Sequence, residues 1–174
     1  MFSASNALVD EPKRAFLRSC QIVCRNADLL SVDSSDIAKA ELEGWNNPGI
    51  YIWTVATESK EEIEYVAYVG RTKSLRRRVQ EYKRNFQAHS PNDYKLQVFQ
   101  RVVRSRSENA SFRLYFQPLP AEELTESENR AIAQLHPMLN QRPNVSAEVR
   151  KEFLAAFESY YSAGFNSLFR DSDA

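Results

Sequence analysis

Cysteine, histidine and glycine are scarce in this chain, long apolar runs are missing, and each scarcity removes a class of protein. The only two thiols, Cys20 and Cys24, lie one helical turn apart in an amphipathic stretch. Two thiols cannot complete a four-ligand zinc site, so both read as reduced residues in or near the core. His89 and His136, the only histidines, have no partners at ligand spacing and receive no role. Four glycines among 174 residues, with 43% apolar and 26% charged side chains, exclude a disordered or low-complexity chain. No apolar run approaches the roughly 18 to 20 residues that span a bilayer. The first residues, Met1 to Asn6, lack the basic-then-apolar pattern of a secretory leader. The expectation is a cytoplasmic protein with no membrane segment. Its length suits one core that needs no disulfide or metal to hold it.

Net charge is also missing, since 23 basic side chains balance 23 acidic ones. Taken whole, this argues against a nucleic-acid partner, but the charges are unevenly spread. Residues 71–106 carry 11 basic and 2 acidic side chains, a net of +9, between flanks of −5 and −4. Such a block is either a solvated face or a patch that tracks phosphates, and its abrupt start at Arg71 suits the second.

Periodicity supplies the elements. Asp10 and Glu11 ahead of Pro12 are helix-start signals, and Ala15, Phe16, Ile22 and Val23 fall near helical spacing, predicting a helix from Pro12 to about Asp28. Ser34-Ser35-Asp36 offers a cap for a short helix to about Leu42 before the break at Asn46-Asn47-Pro48-Gly49. Ile50 to Val55 and Tyr65 to Val69 read as an antiparallel pair joined by an acidic loop. Ser74 caps a helix striped by Leu75, Val79, Tyr82 and Phe86. Leu96, Phe99, Val102 and Val103 mark another helix, and Ser111 to Leu119 a third strand. Pro120 opens a helix that Pro137 closes, and Val149, Phe153, Leu154 and Phe157 mark the last. The predicted fold is α+β, a small three-stranded antiparallel sheet flanked by helices. Residues 48–142 form the central domain, 1–47 a helical extension packed on it, and 143–174 a second helical extension. The aromatic terminal helices either complete the core or make a dimer interface, leaving monomer and homodimer both open, with the core favoured.

Three features carry candidate chemistry. The turn Tyr68-Val69-Gly70-Arg71-Thr72-Lys73-Ser74 leads from a strand into a capped helix continuing with Arg76-Arg77-Arg78. Free amides at a helix start, joined by cations, make an anion site, although the Gly-rich spacing of a nucleotide-binding P-loop is absent. Gly70, Arg71, Lys73 and Arg77 are therefore substrate-binding candidates, and an ordinary surface turn is the alternative. Arg78 lies at the border of the apolar stripe, where its donor fork suits a phosphate, or where it simply lies along the helix edge with its head in water. Glu128 shares a helix face with Leu124, Ala131 and Leu135. A carboxylate in an apolar stripe needs compensation, either from a capping box with Thr125 or from a divalent cation, of which Mg²⁺ is commonly held by one or two carboxylates, water and phosphate. Tyr51 and Tyr68 sit on the paired strands, where aromatic residues usually pack. They become proton acceptors only if nearby cations favour phenolate.

In this order the motifs resemble the GIY-YIG nucleases. Pro48-Gly49-Ile50-Tyr51 and Tyr68-Val69-Gly70 are similar to the two tripeptides that name the family. The family's arginine, eight residues after the second glycine, falls on Arg78, and its tyrosine or histidine four later falls on Tyr82. Its helical glutamate falls on Glu128, followed by a Pro-x-x-Asn at Pro137 and Asn140. The resemblance covers about Pro48 to Arg142 and implies a metal-dependent endonuclease acting on DNA. It implies that Glu128 binds one Mg²⁺ (or Mn²⁺), that Tyr51 helps activate water, that Arg78 and Tyr68 hold the phosphate, and that Asn140 fixes the site. Two departures stand out. Sixteen residues separate the tripeptides, more than the family usually has, and no separate DNA-reading module is present.

Overall fold

The segment Ile50-Tyr51-Ile52-Trp53-Thr54-Val55 is apolar on both faces, as a strand covered on both sides must be. The computed structural model describes residues 4–25, 46–57, 63–83 and 110–140, together with positions 96, 99, 100 and 103. All of them belong to one unit, Met1–Gln141. Its elements in chain order are α1 (Glu11–Arg18), β1 (Gln21–Cys24), β2 (Gly49–Thr57), β3 (Ile63–Thr72), α2 (Leu75–Lys83), β4 (Ala110–Pro118) and α3 (Leu124–Leu135). Leu96, Phe99, Gln100 and Val103 are helical as well. No described helix is long and apolar enough to cross a membrane.

The sheet is fully antiparallel with strand order β1-β4-β2-β3. It has four strands, not the three expected. The extra strand comes from the tail of the predicted first helix, which stops at Arg18 and not near Asp28. Asp10 caps α1 as read, accepting from the Lys13 amide at 3.1 Å. Beyond Ser19, however, Ile22 and Val23 enter a strand whose partner, β4, lies far away in the sequence. Four residues of mixed β-branched and polar character fit either period, and tertiary pairing decided between them. Cys20 and Cys24 are therefore not neighbours on a helix. Cys20 is buried ahead of the strand and Cys24 ends it, half-buried; both are free thiols. The predicted short helix near Ser34 and the C-terminal extension 143–174 lie outside the described residues.

Each sheet face carries its own core. Tyr51, Trp53, Val55, Phe112, Leu114 and Phe116 meet Leu75 and Val79 of α2, with Leu96, Phe99 and Val103. On the other face, Ile50, Ile52, Val66, Val69 and Tyr115 meet Leu17 of α1 and Ala131 and Leu135 of α3. A bulge opposite Trp53 and Thr54 interrupts the β2–β3 ladder, where Trp53 pairs with Tyr68 but Thr54 with Val66. The extra residue, Ala67, lets both Ala67 and Tyr68 join the first layer while Val66 and Val69 stay in the second. From Trp53–Tyr68 to Gly49–Thr72 the ladder is regular and keeps Tyr68 on the face of Tyr51, while the bulge turns Val66, two residues earlier, to the opposite face.

β3 is the edge strand on that side, and other segments cover its outer hydrogen-bonding groups. Val9 donates to the Glu64 carbonyl at 2.8 Å, and Leu8 bridges Tyr65. The turn after α3 continues the cover, with Met138 donating to Val66 and Leu139 to Ala67. Asn140 closes it with both ends of its amide, accepting from the Val69 N–H at 2.8 Å and donating to the Val69 carbonyl at 2.7 Å. An open edge is thereby capped beside the first residues of the candidate site.

Candidate active site

The passage from β3 to α2 is fixed by short side chains. Thr72 Oγ1 donates to the Ser74 carbonyl and accepts from the Ser74 amide, and Ser74 Oγ accepts from the Arg77 amide at 3.3 Å. Ser74 thus caps α2 as its sequence implied, and the cap sets the rotation of the helix. That rotation sends Leu75 and Val79 inward and brings Arg78, at their border, back over β2.

Arg78 Nε donates to the Tyr51 hydroxyl at 3.0 Å, with the guanidinium carbon 5.6 Å from the centre of the Tyr51 ring. Arg78 Nη1 reaches Glu81 Oε2 at 3.0 Å. The Arg78 side chain is only 14% exposed, so these contacts hold a largely desolvated cation in one orientation. Tyr51 stands tilted against Tyr68, with ring centroids 6.1 Å apart. Gly70 faces Tyr51 across the ladder, and a Cβ there would overlap Tyr51 Cζ and its hydroxyl and come within 2.8 Å of Tyr68 Cε1. The glycine is needed because the hydroxyl end of Tyr51 occupies the space of a side chain.

Arg71 projects on the other side, beside Ile50 in register, and meets α3. Its Nε lies 3.3 Å from Glu128 Oε2, and its Nη1 donates to Thr125 Oγ1. The cation beside the Glu128 carboxylate is therefore Arg71. A helix-start box with Thr125 does not form in the way considered, because α3 begins at Leu124 after a 3₁₀ turn, Ala121–Glu123, and Thr125 is engaged by Arg71.

These groups border a cleft of about 510 Å³ at one end of the sheet, between the starts of α2 and α3. Tyr51, Arg71, Lys73, Arg77 and Arg78 line it, joined by Glu81 and Thr125. Glu128 does not line the cleft; it stands behind Arg71, with its side chain 21% exposed. Tyr68 supports Tyr51 from below. Asn140 acts on the backbone of Val69, the residue between Tyr68 and Gly70, so it holds the strand that carries them. The Tyr82 side chain lies outside the described residues. Among the described residues no three histidine, cysteine, aspartate or glutamate side chains gather as metal ligands.

Two contributors went unnoticed in the sequence. Thr125 entered only as a helix cap, and Glu81 not at all. Glu81 is the single carboxylate between residues 71 and 92, three and four residues after two arginines, and that spacing was the available signal.

No protein-family model, curated protein or solved structure matches the chain.

Proposed function

We propose that the chain is a metal-dependent endonuclease that hydrolyses DNA phosphodiester bonds in this cleft. The observation that carries the reading is the Arg78–Tyr51 hydrogen bond of 3.0 Å at the wall of a cleft lined by four cations, Arg71, Lys73, Arg77 and Arg78. An oriented guanidinium stabilises charge that grows on a phosphoryl group as the bond breaks, and costs no reorganisation at that moment. The same cation donates to a phenol oxygen, which suits Tyr51 to take a proton from the attacking water. Lys73 and the exposed Arg77 draw in the flanking phosphates. Asn140, through Val69, keeps Tyr68 and Gly70 in register beneath Tyr51.

Glu128 offers hard carboxylate oxygen, the donor type that Mg²⁺ or Mn²⁺ takes alongside water and substrate phosphate, so one carboxylate fits such an ion. Bound there, the ion would supply Lewis-acid polarisation of the phosphoryl oxygen. Arg71, which lines the cleft, would then release Glu128 to the ion.

A panel of single-stranded, duplex, branched and RNA substrates with Mg²⁺ or Mn²⁺ tests the proposal. Cutting that disappears in Arg78→Ala and Glu128→Ala supports it; cutting that survives both, or no cutting by the unaltered protein, sinks it. One observation favours a second reading, a nucleic-acid-binding scaffold without turnover: the Glu128 carboxylate is already matched by Arg71. Salt-sensitive binding with no metal-dependent cleavage would decide for that reading. Cleavage confined to RNA would redirect the assignment to an RNA nuclease.

A further inference from the structure

Glu81 bridges the two arginines of the cleft. One carboxylate oxygen lies 3.2 Å from Arg77 Nε and the other 3.0 Å from Arg78 Nη1. Its side chain is 34% exposed and borders the cleft along with both partners. Helical pairs at these spacings are common on protein surfaces, and α3 carries one, Arg130 with Glu126, whose side chains are 66% and 77% exposed. Neither member of that pair lines the cleft, and it joins one cation to one anion. Glu81 differs in placing two oxygens of one anionic group on two guanidinium groups facing a cavity, as two non-bridging oxygens of a phosphate do.

We infer that Glu81 is a built-in counterion that occupies the phosphate-binding position of Arg77 and Arg78, and that a nucleic-acid phosphate must displace it to enter. This rests on the reading of the cleft as a phosphodiester site. The consequence is selectivity. A single small anion gains little by replacing a carboxylate that is already in place and covalently tethered. A polyanion held at the same time by Arg71 and Lys73 supplies the additional attraction that makes the exchange favourable. Nothing is bonded or broken in the step; one anion exchanges for another and the carboxylate rotates into water.

The test is the binding of a short labelled DNA duplex to the full chain in chelator, across a salt series, for the unaltered protein, Glu81→Gln and Glu126→Gln. The two substitutions change the net charge equally, so the second removes any effect of overall charge. Freeing one cationic position adds about one released counterion, so Glu81→Gln should bind roughly four- to eightfold more tightly in about 0.1–0.2 M salt, with a log–log salt slope steeper by about 0.9. Glu126→Gln should leave both nearly unchanged. Inorganic phosphate, added as competitor, should weaken DNA binding by Glu81→Gln at lower concentration than it does for the unaltered protein. If Glu81→Gln equals Glu126→Gln, or binds more weakly, the counterion role is overturned, while cutting by the unaltered protein would leave the nuclease reading standing. If none of the three proteins binds DNA, the phosphodiester reading fails and the counterion role falls with it. Glu81→Ala provides the same comparison should the glutamine hold the arginines through its amide.

Discussion

Two groups of tyrosine, arginine and glutamate lie at different places on the same sheet, and they differ in kind. Toward the start of β2, Tyr51, Arg78 and Glu81 meet at a cleft, with Arg71 and Glu128 beside them. Further along the sheet, Thr54, Glu64, Arg113 and Tyr115 form a closed network. Glu64 Oε1 accepts from Thr54 at 2.5 Å and from Tyr115 at 3.1 Å, while Oε2 pairs with Arg113 at 3.4 Å. The Glu64 and Arg113 side chains are 7% and 18% exposed, whereas those of Arg71 and Arg77 at the cleft are 44% and 63%. In the closed network one carboxylate satisfies three donors away from water, and burial followed by the Glu64 charge raises the Tyr115 pKa above its ordinary value. Among the described residues, four cations and one carboxylate line the cleft. Residue types alone do not separate a closed structural network from an open, cation-lined cleft; the ratio of cations to anions and their access to water do.

The comparison can be broken from either side. Glu64→Ala should have the largest effect, costing about 3–5 kcal/mol of stability because Arg113 loses its buried carboxylate. Denaturant unfolding measures it, and cleavage by the remaining folded protein should be unaltered. Arg78→Ala should do the reverse. Cleavage should fall roughly 10²–10³-fold, about 2.7–4 kcal/mol in the barrier, as when an oriented charge-stabilising donor is lost. The unfolding midpoint should move far less than in Glu64→Ala. A cleavage loss in Glu64→Ala as large as that in Arg78→Ala, at matched folded fraction, would erase the distinction between the clusters.

A third measurement concerns Cys20, which shares the core of one sheet face with Tyr115. Burial raises the Cys20 thiol from 9.0 to about 11, with a smaller opposing contribution from Ser19. The folded state therefore holds this proton more tightly than the unfolded chain. Its stabilising contribution is complete below pH 9 and is lost as pH rises from about 9 to about 11, a decline of about 2–3 kcal/mol. Cys20→Ala should remove that part of the alkaline decline and leave the part due to Tyr115. Equilibrium unfolding at stepped pH reads the difference. The smallest effect expected is that of Gly70→Ala, about 1–3 kcal/mol from overpacking against Tyr51. Cleavage should nevertheless drop sharply, because the displaced ring carries the hydroxyl that accepts from Arg78 Nε. A variant that keeps full cleavage would show that the Tyr51–Arg78 contact is not needed.

Much of this was readable along the chain because it is local. The Asp10 and Ser74 caps, the Leu75–Val79 stripe, the apolar β2 and the α3 face of Leu124, Ala131 and Leu135 each follow from spacings shorter than a turn or two. Arg78 at the border of its stripe was legible for the same reason. The motif order placed Tyr51, Tyr68 and Asn140 near one another, but not what each touches. Strand β1 was misread because four residues fit two periods, and its hydrogen-bonding partner is about ninety positions away in the chain.

By itself, then, the sequence determined the caps at Asp10 and Ser74, the buried faces, the basic block beginning at Arg71 and the identity of the residues that could act on a phosphate, while the helix expected from Pro120 begins at Leu124 after a 3₁₀ turn. The tertiary structure decided the rest. Only the β2–β3 register puts Tyr68 beside Tyr51, only the meeting of β3 with α3 gives Glu128 its Arg71, and only the rotation of α2 aims Arg78 at Tyr51. The physical reason is common to all three. Spacing along a strand or helix fixes the face on which a side chain lies, but the partner on that face is set by which elements pack together, through contacts between residues far apart in the chain.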